Sequence, residues 1–105
     1  MLNMEKKQIH KILNDGIIEW RKHALERMLQ RDISRLEVKE VLQNGEIIES
    51  YKDDKPFESA LFFLMKEKPL HVVASIDTVA MKIHVITAYI ADEKHFYSDF
   101  KRRKK

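Results

Sequence analysis

The chain has 105 residues and a mass of 12.6 kDa, with 44% hydrophobic and 35% charged residues. That length is one domain's worth of polymer, and the composition is that of a folded protein with a densely ionic surface. The absence of cysteine excludes disulfide scaffolds, thiolate metal sites and cysteine nucleophiles.

No apolar run approaches the ~18 residues of a membrane span. The cations Lys6, Lys7 and Lys11 also break up the start, so it does not read as a signal peptide. The expected location is therefore the cytoplasm, with no membrane partner. Twenty Lys and Arg against seventeen Asp and Glu leave a net charge of +3. Five consecutive cations, Lys101 to Lys105, close the chain, and without them the net charge would be −2. Such a run is either a solvated terminus or a phosphate-contacting arm.

Two glycines and two prolines punctuate the sequence. Ile9, Ile12 and Leu13 recur at helical spacing and predict a first helix from Met4 to Asn14, stopped at Gly16 as a C′ glycine. Ile17 to Trp20 reads as a short apolar link or strand. Leu25, Met28 and Leu29 make the seam of a second helix over His23 to Arg31, which sets His23, Arg27 and Arg31 in one i, i+4, i+8 row. Ser34 with Glu37 is a capping box, followed by the stripe Val38, Val41 and Leu42 of a third helix ending at Gly45.

After Gly45 the period becomes extended. Strands are predicted over Glu46 to Tyr51, Ser59 to Met65, Leu70 to Ile76 and Lys82 to Ile90, separated by turns at Pro56, at Pro69 and between Asp77 and Met81. A short terminal helix is read over Phe96 to Lys105. The expected fold is α+β, with N-terminal helices packed on a four-stranded antiparallel sheet. Residues 1–100 form the single domain and residues 101–105 a basic tail.

The five histidines show no pairing at metal-ligand spacing, and no Gly-rich phosphate loop or nucleophile elbow occurs. Neither a metal nor a cofactor is expected. The row His23, Arg27 and Arg31 can clamp a phosphate beside a proton-transferring imidazole. The same residues also suit a surface network with Glu26, Glu37 or Glu40. If the Asp77 to Met81 turn closes symmetrically, His71 lies opposite Thr87 and diagonal to Tyr89 on one sheet face. That polar triplet is either solvent-facing or a site. RNA supplies its own 2′-OH nucleophile, so its cleavage needs only a base, an acid and cations around the phosphorane.

The segments HALERM (residues 23–28) and RDIS (31–34) resemble a small bacterial domain-of-unknown-function family with an HAxxRM and RGIS pattern. The resemblance continues through NGEIIE (44–49), YKDDKP (51–56), PLHVV (69–73) and VITAY (85–89), covering residues 17 to 100. Members look like relatives of the RelE/ParE toxin superfamily, often beside zinc-finger, helix-turn-helix antitoxins of the MqsA type. The resemblance implies a toxin-type, metal-independent endoribonuclease with RNA and a cognate antitoxin as partners, and a homodimer stays open. It places catalysis on His23, Arg27, His71 and Tyr89. By their charge, Arg31, Lys82, Arg102 and Arg103 are the expected RNA contacts. Asp32 departs from the pattern's glycine and Ala88 from its valine. The alternative is a noncatalytic protein-binding module or an inactive toxin relative, which would take a partner's extended segment along an edge such as Glu46 to Tyr51.

Overall fold

A computed structural model describes residues 6–104. Three helices, α1 (Lys6–Asp15), α2 (Lys22–Gln30) and α3 (Arg35–Asn44), are followed by strands β2 (Glu46–Tyr51), β3 (Ser59–Met65), β4 (Pro69–Asp77) and β5 (Lys82–Ile90), with a short β1 (Ile17–Trp20) between the first two helices. The fold is α+β. The predicted first helix begins before Lys6, in residues outside those described. At α3 the capping box forms as read: Ser34 Oγ accepts from the Glu37 N–H at 3.0 Å, and Glu37 Oε1 accepts from the Ser34 N–H at 2.9 Å.

The sheet corrects the expected four-stranded antiparallel meander. It has five strands in the order β1-β5-β4-β3-β2, and β1 runs parallel to β5 with Ile17 beside Lys82 and Trp20 beside Val85. Four residues carry too short a pattern to reveal a partner so distant in sequence. Helices cover one sheet face, where Ile9, Ile12, Ala24, Met28, Val38, Val41 and Leu42 pack on Ala60, Phe62, Leu70, Val72, Ala74, Ile83, Val85 and Ala88. Alternation along the strands supplies that apolar face.

Both glycines end helices, but by another mechanism than the left-handed C′ conformation read from sequence. Neither has a positive φ. A Cβ on Gly16 would stand 2.2 Å from the Met81 carbonyl oxygen, and one on Gly45 would stand 2.6 Å from that of Phe63. These glycines let helix ends press against strand backbone. Asp32 is one of three left-handed residues among those described, with φ 57°, and it stands where the resembled pattern carries glycine.

The predicted terminal helix is replaced by a tight loop. Asp99 Oδ1 accepts from the backbone N–H groups of Lys101 at 3.0 Å and Arg102 at 3.2 Å, and Phe100 adopts φ 58°, so the backbone reverses. Phe96 then bridges Arg103, and the Lys104 N–H reaches the His95 carbonyl at 2.8 Å. The loop lies on the sheet face that the helices leave open. Among the described residues no helix is long and apolar enough to cross a membrane.

Candidate active site

Two bulges build the site. In β5 the register shifts between Val73 and Ala74 of the partner strand, and in β2 it shifts between Ile47 and Glu49. Each bulge reverses the in-and-out alternation, which brings Tyr89 and Glu49 to the helix-free face with Phe63 and His71. The last hairpin also closes with Asp77 beside Lys82, one residue off the symmetrical closure expected. Asp77 Oδ1 accepts from the N–H groups of Val79 and Ala80 and sets that turn. With the turn and bulge combined, His71 stands directly opposite Tyr89, and Thr87 faces Val73 instead.

His71 is fully buried. Its ring contacts Phe96 edge-on at a centroid distance of 4.6 Å and is flanked by Tyr89 at 5.2 Å and Phe63 at 5.5 Å. Nε2 is 2.6 Å from the Phe100 carbonyl oxygen, which can only accept, so Nε2 carries the proton. Burial pulls the imidazole below its ordinary value, opposed by the bond to Phe100 and aided by the charge of Arg103. In the resulting neutral ring, Nδ1 accepts from the Tyr89 hydroxyl at 3.3 Å. Burial also raises the Tyr89 phenol, while Arg103 and Arg31 pull it back.

Beside this pair, the Arg103 guanidinium donates to both Glu49 oxygens, at 3.3 Å from Nε and 3.2 Å from the terminal nitrogen, and lies 4.9 Å above the Phe96 ring. The Tyr51 hydroxyl donates to the same carboxylate. Burial pushes Tyr51 up to about 12, reinforced by Glu49. Glu49 is raised by burial but falls below its ordinary value overall, because Arg103 and Tyr51 hold the charged form.

Next to the buried cluster, a cleft of about 300 Å³ is lined by Tyr89, Ile90, Ala91, Asp92, His95, Phe96 and Arg103. It continues into a shallower one of about 420 Å³ where Arg31 joins Tyr89, Ile90 and Asp92. Arg31 is fixed there by donating to the Ala88 carbonyl at 2.8 Å. His95 Nδ1 lies 3.0 Å from Asp92 Oδ1, and that contact holds the Asp92 carboxyl below its usual range. One cleft therefore carries a phenol backed by a neutral imidazole, an imidazole backed by a carboxylate, and two guanidiniums. A larger cleft of about 520 Å³ between the turn after α2 and the β3–β4 hairpin, lined by residues such as Asp32, Ile33, Glu37 and Lys66, contains no histidine, tyrosine or arginine.

The residues singled out from sequence thus divide. Arg31, His71, Tyr89 and Arg103 meet at this site. His23 stands exposed on α2 with 91% of its side chain accessible and Glu26 at 3.5 Å, and Arg27 is exposed on the same helix; neither joins His71. Lys82 pairs with Glu19 at 3.1 Å, at the opposite end of β5 from Tyr89. Arg102 pairs with Asp99 at 3.0 Å. Sequence reasoning missed Glu49, Tyr51, Asp92 and His95. The bulge hides the first two from a period-2 reading, and only the spacing of Asp92 and His95 hinted at the third and fourth.

A model of the family described as a domain of unknown function, DUF4258, matches residues 20–90. The chain belongs to the DUF4258 family. No curated protein and no solved structure matches it. The DUF4258 region contains Arg31, Glu49, Tyr51, His71 and Tyr89, whereas Asp92, His95 and Arg103 lie beyond it on the terminal loop.

Proposed function

We propose that the protein is a toxin-type, metal-independent endoribonuclease, acting in the cleft between Tyr89, His95 and Arg103. The observation that supports this most is the presence of two separately backed proton carriers beside two guanidiniums on one cleft. The 2′-OH gives its proton to the Tyr89 oxygen as the Tyr89 proton passes to His71 Nδ1. The 2′-oxygen bonds to phosphorus, and the bond to the 5′-oxygen breaks as that oxygen takes a proton from the His95 imidazole. Arg103 and Arg31 face the charge that grows on the phosphorane. The products are a 2′,3′-cyclic phosphate and a 5′-hydroxyl. The motif resemblance to RelE/ParE relatives supports the toxin role, and with it a protein antitoxin as partner.

The test is purified protein on unstructured RNA, with product ends identified. Tyr89→Phe and His95→Gln should each slow cleavage by about 10²- to 10⁴-fold, the usual contribution of a positioned acid or base. Expression of the native chain should arrest growth, with fragmented RNA. Intact RNA with folded native protein, and no growth effect, removes the catalytic reading. A noncatalytic binding module is the second reading, favoured by the full burial of His71 and by Glu49 neutralising Arg103. In that case the two variants keep every partner interaction of the native protein and no turnover exists to lose.

A further inference from the structure

The tail carries the densest run of cations in the sequence, yet three of its five are paired within the fold. Lys101 pairs with Glu46 at 2.8 Å, Arg102 with Asp99 at 3.0 Å and Arg103 with Glu49 at 3.2 Å. Uncompensated charge lies on and around α2. Residues 21–35 contain five Lys or Arg against two acids, Glu26 and Asp32. Among the described residues Arg21, Lys22 and Arg27 make no ion pair; Arg31 donates one N–H to the neutral Ala88 carbonyl and keeps its charge, and Arg35 lies 5.8 Å over the Trp20 ring. Arg21, Lys22 and Arg27 are all exposed, and exposed cations without a protein partner are the kind that bind phosphates by releasing counterions.

Arg31 belongs both to this surface and to the cleft. Its row continues through Arg27 to His23, turning from half-buried to exposed along the helix. Four residues of helix advance by about 6 Å, close to the separation of successive phosphates in an extended single strand. The cleft, about 300 Å³, is of the size of one nucleotide's sugar and phosphate.

We infer that the substrate is single-stranded RNA whose backbone leaves the cleft along α2, with successive phosphates at Arg31, Arg27 and His23. This rests on the RNA-cleaving reading of the cleft. It assigns to His23 and Arg27 a binding role remote from the bond that breaks, and it makes the helix, not the tail, the track along which the strand leaves.

Binding of 5′-labelled oligouridylates, 2′-O-methylated throughout so that no nucleophile exists, is measured by fluorescence anisotropy across a salt series. An 8-mer should bind at least tenfold more tightly than a 2-mer. Arg27→Ala should weaken the 8-mer and reduce its salt slope by about 0.7, the value for one phosphate on a single strand. Lys7→Ala, the same charge loss on α1, should leave the slope unchanged. Equal affinity for both lengths, equal effects of the two substitutions, or tighter binding of a duplex than of the single strand overturns the track. Cleavage of unmodified 8-mer is followed in parallel. Cleavage without the Arg27 effect refutes the track alone, and the Arg27 effect without cleavage refutes only the catalytic reading.

Discussion

Replacing His71 by leucine tests the central cluster by two independent readouts. Leucine approximates the volume of the ring, so the main loss is polar: the Phe100 carbonyl and the Tyr89 hydroxyl are both left without the partner they have at 2.6 and 3.3 Å. Stranding a buried hydrogen-bonding group costs about 1–3 kcal/mol. Tyr89 is only half-buried and can turn to water, so the sum is about 2–4 kcal/mol. In a domain near 100 residues that lowers Tm by roughly 10–25 °C.

The second readout is pH. The folded His71 titrates below its unfolded value of 6.5, so the unfolded chain takes up the proton first as pH falls. Stability from neutral His71 is complete above pH 6.5 and is lost as pH falls toward the folded pKa, by about 1.4 kcal/mol for each unit between the two. The lowered carboxylates Glu37, Glu49, Asp92 and Asp99 lose their contribution only below their ordinary values of 4.5 and 3.8, a separate window. Urea unfolding followed by circular dichroism from pH 7.5 to 5 should show a fall in the native protein that is smaller in His71→Leu. An unchanged midpoint at pH 7.5, or parallel curves for both proteins, refutes the burial and bonding assigned to this ring.

Two stability predictions concern the backbone. Gly16→Ala brings a methyl to 2.2 Å from the Met81 carbonyl oxygen, which accepts from the Ile17 N–H at 3.0 Å, so the β1–β5 junction must give way; a loss of about 2–4 kcal/mol in urea unfolding is expected, and a change under ~0.5 kcal/mol contradicts it. Asp32→Gly relieves a left-handed residue at φ 57° and should stabilise the protein by roughly 0.5–1 kcal/mol, read as a rise in Tm. A fall in Tm would show that the Asp32 side chain contributes more than its backbone costs.

Local signals made most of the fold legible. The apolar stripe of α3 and its cap, the alternation in β2 and β4, and the apolar or β-branched runs of β3 and β5 define these elements to within a residue, because each is determined by contacts close in sequence or by a buried face. β1 was obscure because its pairing depends on a strand 65 residues away, Ile17 beside Lys82. The site was less legible for a related reason. His71 and Tyr89 read onto one face from sequence, but their direct pairing depends on the turn at Asp77 and the bulge in β5, and Glu49 reaches that face only through the bulge in β2. An extra residue in a strand leaves no mark in composition. The basic tail misled in the opposite way, since its charge is conspicuous in sequence while Glu46 and Glu49, the acids that pair with Lys101 and Arg103, stand 55 and 54 residues earlier.

The parallel pairing of β1 with β5 also bears on how the chain assembles. Strands β2 to β5 are joined by short hairpins and can zip in sequence order, but β1 has no partner until the last strand exists. Closing so large a loop delays the contact without much equilibrium penalty, because loop entropy grows only logarithmically. On a ribosome, β1 must therefore wait for nearly the whole domain to emerge, although α1 can already dock on α3, where Lys6 donates to the Gly45 carbonyl. During that interval the outer edge of β5 is open to the first strand of another molecule, and exchange of α1 and β1 between two copies is the misassembly this topology invites.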